Sequence, residues 1–231
     1  MRAKQVYEFI QKKSLRNNID TGINYKIKSD IEKWFNKWLN GINYKINDNF
    51  EIEVFDDIFI LRNGDVGHFP FCNKLTVHGN LDIISSNLLS LPKSINIKNT
   101  FNVYGNRNLI DFPEIFYIGS TINIERTGIN KLPDNMRSVN GSLIIDYTNI
   151  EYLPENLSLI SGNFSLKYTQ ITKLPDNLTI KGNLNINYTD IKKLPRGLNI
   201  EQKLILNNYI SPYHDIPKDL KVNDIIDEID D

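Results

Sequence analysis

Apolar residues recur along this chain in registers that share one period. An apolar–Pro pair stands at Phe69-Pro70, Leu91-Pro92, Phe112-Pro113, Leu132-Pro133, Leu153-Pro154, Leu174-Pro175, Leu194-Pro195 and Ile216-Pro217. Successive prolines on this ladder lie 22, 21, 20, 21, 21, 20 and 22 residues apart, and they are eight of the nine in the chain. Apolar-x-apolar triplets keep the same step, starting at Ile58, Leu81, Phe101, Ile122, Leu143, Phe164, Leu184 and Leu204. Side chains alternate faces along a strand, so the outer residues of each triplet face one way and the middle one the other. A fixed period near 21 residues marks a solenoid, in which stacked copies bury a face that one copy could not bury alone. The triplets therefore predict a ladder of parallel strands, roughly 35–40 Å long at about 4.8 Å per strand.

A polar register runs in step with the triplets. Five residues after each triplet start stand Asn63, Ser86, Asn106, Thr127, Thr148, Thr169, Thr189 and then Tyr209. The first seven are small side chains that donate and accept hydrogen bonds. Stacked inside the coil, they are suited to pair the buried backbone groups of each bend. Leu88, Ile129, Ile150, Ile171 and Ile191, two residues further on, add a core position.

The most regular copy is LPDNLTIKGNLNINYTDI, residues 174–191. Its run Leu184-x-Ile186-x-x-Thr189-x-Ile191-x-x-Leu194-Pro195 resembles the leucine-rich-repeat signature. The LP after the signature resembles the short repeats of bacterial effectors, and with Leu178-x-Ile180-x-Gly182-Asn183 in front of it the copy looks more like repeat proteins encoded by large tailed phages and some bacteria. The resemblance covers about residues 50–217. It implies the fold of a repeat scaffold, and repeat scaffolds serve many roles. Two departures stand out: threonine replaces the ladder asparagine in the later copies, and the return segment 176–183 is too short for a convex helix. Leu178 and Ile180 alternate there, which predicts a short extended return strand and a flattened coil. Ile52-x-Val54 before Ile58-x-Ile60 fits the same template, so the solenoid is expected to start near residue 50.

The fold class expected is thus a mainly β repeat solenoid, leucine-rich-repeat-like, with a small α/β N-terminal cap. Residues 1–49 form the cap, 50–217 about eight solenoid turns, and 218–231 an acidic C-terminal cap or tail. In the cap, a short helix is expected over residues 3–13, with Val6, Phe9 and Ile10 inward. A second is expected from the capping box Ser29-Asp30-Ile31-Glu32 to Asn40-Gly41, with Ile31, Trp34, Phe35, Trp38 and Leu39 at helical spacing. The hexapeptide GINYKI occurs twice, at 22–27 and 41–46, and alternates like a strand both times. Ile225, Ile226 and Ile229 in the tail suffice for a short amphipathic piece.

Composition narrows the function classes. Net charge is −1, which gives no reason to expect nucleic acid or an anionic membrane as partner. The charge is uneven: residues 1–49 carry ten Lys/Arg against five acids, and 211–231 seven acids against Lys218 and Lys221. Cys72 is the only cysteine, so no internal disulfide forms, as in a reducing compartment. No signal-peptide-like start and no apolar run of spanning length are present. An intracellular, cytoplasmic protein is expected, in the host cytoplasm if phage-encoded.

Candidate chemistry is sparse. His68 and His78 lie near Cys72, but Cys-x5-His is not a usual ligand spacing and no second cysteine exists, so no metal site is expected. His214 stands alone. No phosphate loop, dinucleotide fingerprint or nucleophile elbow occurs, and no catalytic residue, cofactor or small-molecule substrate is expected. Gly79, Gly141, Gly162 and Gly182, each two residues before a triplet, predict a positive φ or close stacking.

A partner surface is the remaining candidate. Middle positions of the triplets read Phe59, Asp82, Asn102, Asn123, Ile144, Ser165, Asn185 and Ile205. The next column reads Leu61, Ile84, Tyr104, Glu125, Asp146, Lys167, Asn187 and Asn207. The one after it reads Arg62, Ser85, Gly105, Arg126, Tyr147, Tyr168, Tyr188 and Asn208. Tyr147, Tyr168 and Tyr188 occupy three consecutive turns. Such a row is either a hot-spot surface or a self-stabilising ladder. The expected partner-binding residues are Tyr104, Glu125, Arg126, Asp146, Tyr147, Lys167, Tyr168, Asn187 and Tyr188. The function expected is non-enzymatic protein–protein binding. A structural part of a larger assembly, such as a virion, is the alternative.

Overall fold

The computed structural model describes residues 21–62, 64–206 and 217–227. The helix expected over 3–13 lies outside them, as do Asn63, Asn207, Asn208, Tyr209, His214, Ile216 and the tail beyond Asp227. The chain is a mainly β, parallel-strand solenoid of about eight turns with a small helical cap at its N-terminal end.

Most turns carry two short strands, and the first two carry a third, Gly67–His68 paired with Leu88–Ser90. The triplet strands run from Ile58–Leu61 through Leu81–Ile84, Phe101–Asn102, Ile122–Asn123, Leu143–Ile144, Phe164–Ser165 and Leu184–Asn185. Equivalent residues pair in parallel, Ile122 with Leu143, Leu143 with Phe164, and Phe164 with Leu184. The return strands form a second parallel ladder. It joins Glu51–Val54, Lys74–Val77, Ser94–Ile97 and Ile115–Ile118, then resumes at Ser138–Val139, Leu159–Ile160 and Thr179–Ile180. The expected return strand at Leu178 and Ile180 is therefore present as Thr179–Ile180, between the buried Leu178 and Gly182. The last long strand, Asn199–Leu206, pairs with both ladders and joins them.

Residues that recur once per turn fill a continuous core, among them Ile58, Leu81, Phe101, Leu143, Phe164, Leu184 and Leu204, all fully buried. No single turn encloses them; each is covered by its counterparts above and below, which makes stacking and burial one event.

The ends are sealed differently. At the N-terminal end one helix, α1 (Thr21–Trp38), lays Ile27, Ile31 and Phe35 against the first turn at four-residue spacing, and Leu39 just beyond it continues the buried stripe. Phe35 stacks on Tyr44 at 4.2 Å, and Trp34 packs on Phe69 at 4.6 Å. The strand Tyr44–Ile46 pairs antiparallel with Glu51–Val54 and covers the outer edge of the return ladder. At the other end Lys221–Asp227 adds a parallel strand to Asn199–Leu206, so this part of the acidic tail is built into the sheet.

The cap corrects two expectations. Ser29 to Glu32 lie inside α1 and do not start it, and the first GINYKI, 22–27, is helical rather than extended. The second copy gives the expected strand, Tyr44–Ile46. One hexapeptide thus takes two structures. In the first, Ile27 stands four residues before Ile31 and extends the buried helical stripe. In the second, Gly41 at φ +83 breaks the helix, and Tyr44 and Ile46 meet Val54 and Ile52. Tertiary partners decide what local propensity leaves open. Among the described residues no helix is long and apolar enough to cross a membrane.

Candidate functional site

The bend after each triplet strand sets the geometry of the strand face. Arg62, Ser85, Arg126, Tyr147, Tyr168 and Tyr188 all have φ between 48 and 56, and Gly105 in the same column has φ 77. All seven described members of this column thus lie in the left-handed region, where a non-glycine residue costs about 1–2 kcal/mol. The residue after each bend is the buried polar ladder. Thr127, Thr148, Thr169 and Thr189 each donate a hydroxyl to the carbonyl three residues back, at 2.7–2.8 Å. Asn106 spans two turns: its Oδ1 accepts from the amides of Ser86 and Leu88, and its Nδ2 donates to the carbonyls of Ile83 and Val103. The ladder holds the bend closed from inside, as its composition predicts.

The repeated bend projects the tyrosines into one stack. Tyr147 and Tyr168 have ring centroids 4.4 Å apart at 15°, and Tyr168 and Tyr188 4.3 Å apart at 9°. The Arg126 guanidinium caps the column 4.6 Å from the Tyr147 centroid. Tyr147 and Tyr168 remain about two-fifths exposed, at 41% and 42%. Aromatic pairs contribute about 0.5–1.5 kcal/mol beyond area burial, which offsets part of the backbone strain. Tyr168, stacked on both sides, is the test. Alanine there loses both stacks and keeps the strain, whereas glycine loses the stacks and relieves the strain. Tyr168→Gly will be the more stable of the two by about 1 kcal/mol, the reverse of the order usual in helices and strands. Urea midpoints measure this, and alanine equal to or above glycine contradicts it.

The neighbouring column divides the remaining expected site residues. Tyr104, Glu125 and Lys167 are half-buried, whereas Asp146 and Asn187 are buried. These two do not offer their side chains to a partner, and this corrects the outward reading of their column. The strand alternation used to place them ends after two residues, and the following bend turns them between the coils. Asp146 accepts from the Ser165 hydroxyl and from the Lys167 amide, both at 2.9 Å, with the Lys167 ammonium 3.7 Å away. Burial nevertheless pushes its carboxyl above the ordinary range, and burial followed by the Asp146 charge does the same to Glu125. A carboxyl raised in the folded state binds more protons there than in the unfolded chain. Its protonation adds stability as pH falls through the raised value and withdraws it as pH rises. Asp146→Asn will therefore raise stability at neutral pH relative to the parent, and the gain will shrink on acidification. Denaturation across pH checks this; a gain that grows toward acid contradicts it.

Several middle-column residues serve their own turn. Asn102, Asn123 and Asn185 accept from the amide two residues on, at 3.0–3.2 Å. Phe59 and Leu61, on the first turn, are the most exposed apolar side chains of the strand face.

A further polar column escapes the sequence reading. It consists of the residue just before each triplet, which hydrogen-bonds the backbone of the next turn. Asn80 Oδ1 accepts from Thr100 N, Thr121 Oγ1 from Ser142 N, Ser142 Oγ from Asn163 N, and Asn163 Oδ1 from Asn183 N, at 2.8–3.2 Å. Its signal is plain in retrospect: Asp57, Asn80, Thr100, Thr121, Ser142, Asn163 and Asn183 are all short and polar. The glycines beside it are explained by close stacking rather than positive φ. A Cβ on Gly141 would lie 2.6 Å from Thr121 N, and one on Gly162 would lie 2.7 Å from Ser142 N.

His68 Nδ1 pairs with Ser90 Oγ, and His78 Nε2 with Glu53 while its ring stacks on Phe55. Cys72 is buried, and burial pushes its thiol well above the ordinary range. Among the described residues no three His, Cys, Asp or Glu side chains converge as metal ligands. The strand face with its ring column is thus the candidate site. Comparison of the chain with protein-family models, with curated proteins and with solved structures gives no significant match.

Proposed function

We propose that the chain is a non-enzymatic interaction module that docks a protein partner on the strand face of its solenoid, around Tyr147, Tyr168 and Tyr188. The observation that carries this reading is the order of the ring column. Three aromatic rings and a guanidinium are held by one another at 4.3–4.6 Å, on a rigid ladder, with two of the rings about two-fifths exposed. Ordering side chains on association costs about 0.5–1.5 kcal/mol each, and here the protein's own stacking has already met that cost. Tyrosine and arginine are the residue types that dominate hot spots, and Glu125 and Lys167 supply a polar rim. The repeat supports a leucine-rich-repeat-type scaffold of the short LP form. A free, buried cysteine supports work inside a cell.

The test is affinity capture with the parent chain and with a variant carrying Tyr147→Ser, Tyr168→Ser and Tyr188→Ser. A stoichiometric protein retained by the parent and lost by the variant, whose circular dichroism is unchanged, is expected. Equal retention by the folded variant overturns the reading.

A further inference from the structure

The aromatic column ends at Arg126, and an open cavity of about 440 Å³ begins beside it, lined by Arg107, Arg126, Thr127, Gly128, Tyr147 and Asn149. Its origin lies in one column of the repeat. The residue after the buried polar ladder reads Asn87, Arg107, Gly128, Asn149, Gln170 and Asp190 on successive turns. Gly128 has no side chain, so the space between Arg107 and Asn149 is unfilled. A Cβ at Gly128 would lie 3.1 Å from Ile110 Cγ2 and closer still to the Arg107 carbonyl oxygen, so close packing of the coils keeps the position empty. At Gly128 the lining is backbone, and Arg107, Arg126, Thr127, Tyr147 and Asn149 supply the rest.

The two arginines are prepared differently. Arg126 is fixed: its guanidinium lies over Tyr147, and its Nε is 3.4 Å from Glu125 Oε1. Stacking occupies a face of the guanidinium and leaves its in-plane N–H edge as the direction for further hydrogen bonds. Arg107 is exposed and forms no ion pair among the described residues. Two arginines lining one space supply the planar, bidentate donors that recognise oxyanions, and the volume falls within the range of ligand pockets, about 300–1,000 Å³.

The geometry points to a binding site for an oxyanion, a phosphate or a carboxylate group, held between the Arg107 and Arg126 guanidiniums over Gly128. The Asn149 amide supplies a neutral donor on the far wall. This site goes beyond the docking surface proposed above and does not depend on it, because it takes a small anion in the absence of any protein partner.

The experiment titrates the full, isotope-labelled chain with inorganic phosphate and separately with acetate, at ionic strength held constant with chloride. The backbone amide of Gly128 and the Nε–H signals of Arg107 and Arg126 are followed by NMR. Saturable shifts confined to these groups are expected. Saturation by phosphate alone assigns a phosphate site, and saturation by acetate alone a carboxylate site. Arg107→Gln removes an exposed side chain without an ion pair and so preserves the fold; it will weaken binding at least tenfold. Lys181→Gln, on a distant turn, will leave binding unchanged. Shifts that never saturate with either anion, or that persist unaltered in Arg107→Gln, overturn the assignment. Partner capture by the tyrosine row is read in a separate assay, so the two proposals fail separately.

Discussion

Asn106→Leu will remove about 4–6 kcal/mol of unfolding free energy, the summed penalty of several buried backbone groups left without partners at roughly 1–3 kcal/mol each. Leucine keeps the branched outline of asparagine with bulkier ends, so the substitution opens no cavity and the loss is chiefly one of hydrogen bonds. The Asn106 amide accepts from Ser86 N at 3.1 Å and Leu88 N at 2.9 Å, and donates to Ile83 O at 2.6 Å and Val103 O at 2.8 Å. Of these groups Ser86 belongs to the bend of the preceding turn, and Ile83 and Leu88 to the strands on either side of it, so a single side chain ties two coils together where water does not reach. The threonines of the same ladder do less. Thr148 donates one hydroxyl to Ile145 O at 2.7 Å, and Thr148→Val, which keeps the shape, will cost only about 1 kcal/mol. Denaturant unfolding of both variants measures the contrast. Equal losses at the two positions would contradict the claim that the ladder acts through backbone pairing rather than packing.

Gly162→Ala will cost about 3 kcal/mol, the upper part of the range for overpacking. The added methyl would lie 2.6 Å from Ser142 Oγ, 2.7 Å from Ser142 N and 2.8 Å from Gly141 C. Two of these atoms are backbone of the preceding turn and cannot swing away, so the coils must part at the place where Phe164 pairs with Leu143. Gly41 is the control. It has φ +83 and nothing within 4 Å of an added Cβ, so Gly41→Ala meets only the backbone preference, about 1 kcal/mol. A Gly162→Ala loss no larger than that of Gly41→Ala, read from thermal or urea unfolding, would place the role of these glycines in chain flexibility instead.

These two positions show which parts of the fold were legible in the sequence. The period was legible because each turn must present the same faces to its neighbours, so proline, triplet and polar ladder repeat together. The return strand at Leu178 and Ile180 followed from length, since the segment had no room for a helix. The identity of the first GINYKI was not legible. Its alternation is the same as in the second copy, and only the placement of Ile27 four residues before Ile31 favours a helix. The tyrosine row was visible as a column. Its left-handed backbone was not, because tyrosine is an uncommon occupant of that region; Gly105 in the same column was the one hint. Asp146 and Asn187 were placed outward by strand alternation, which a two-residue strand does not sustain past the bend. The rings stabilise each other by stacking, and under the proposed function that order is what would suit them to a partner.

The account depends on turns that lie directly on one another. Backbone nuclear Overhauser contacts across the triplet ladder test this most directly. The account predicts contacts of the parallel type from Ile122 to Leu143, from Leu143 to Phe164 and from Phe164 to Leu184, each spanning one full repeat. Short Hα–Hα contacts of the antiparallel type between strands within one repeat, in place of that series, would contradict it.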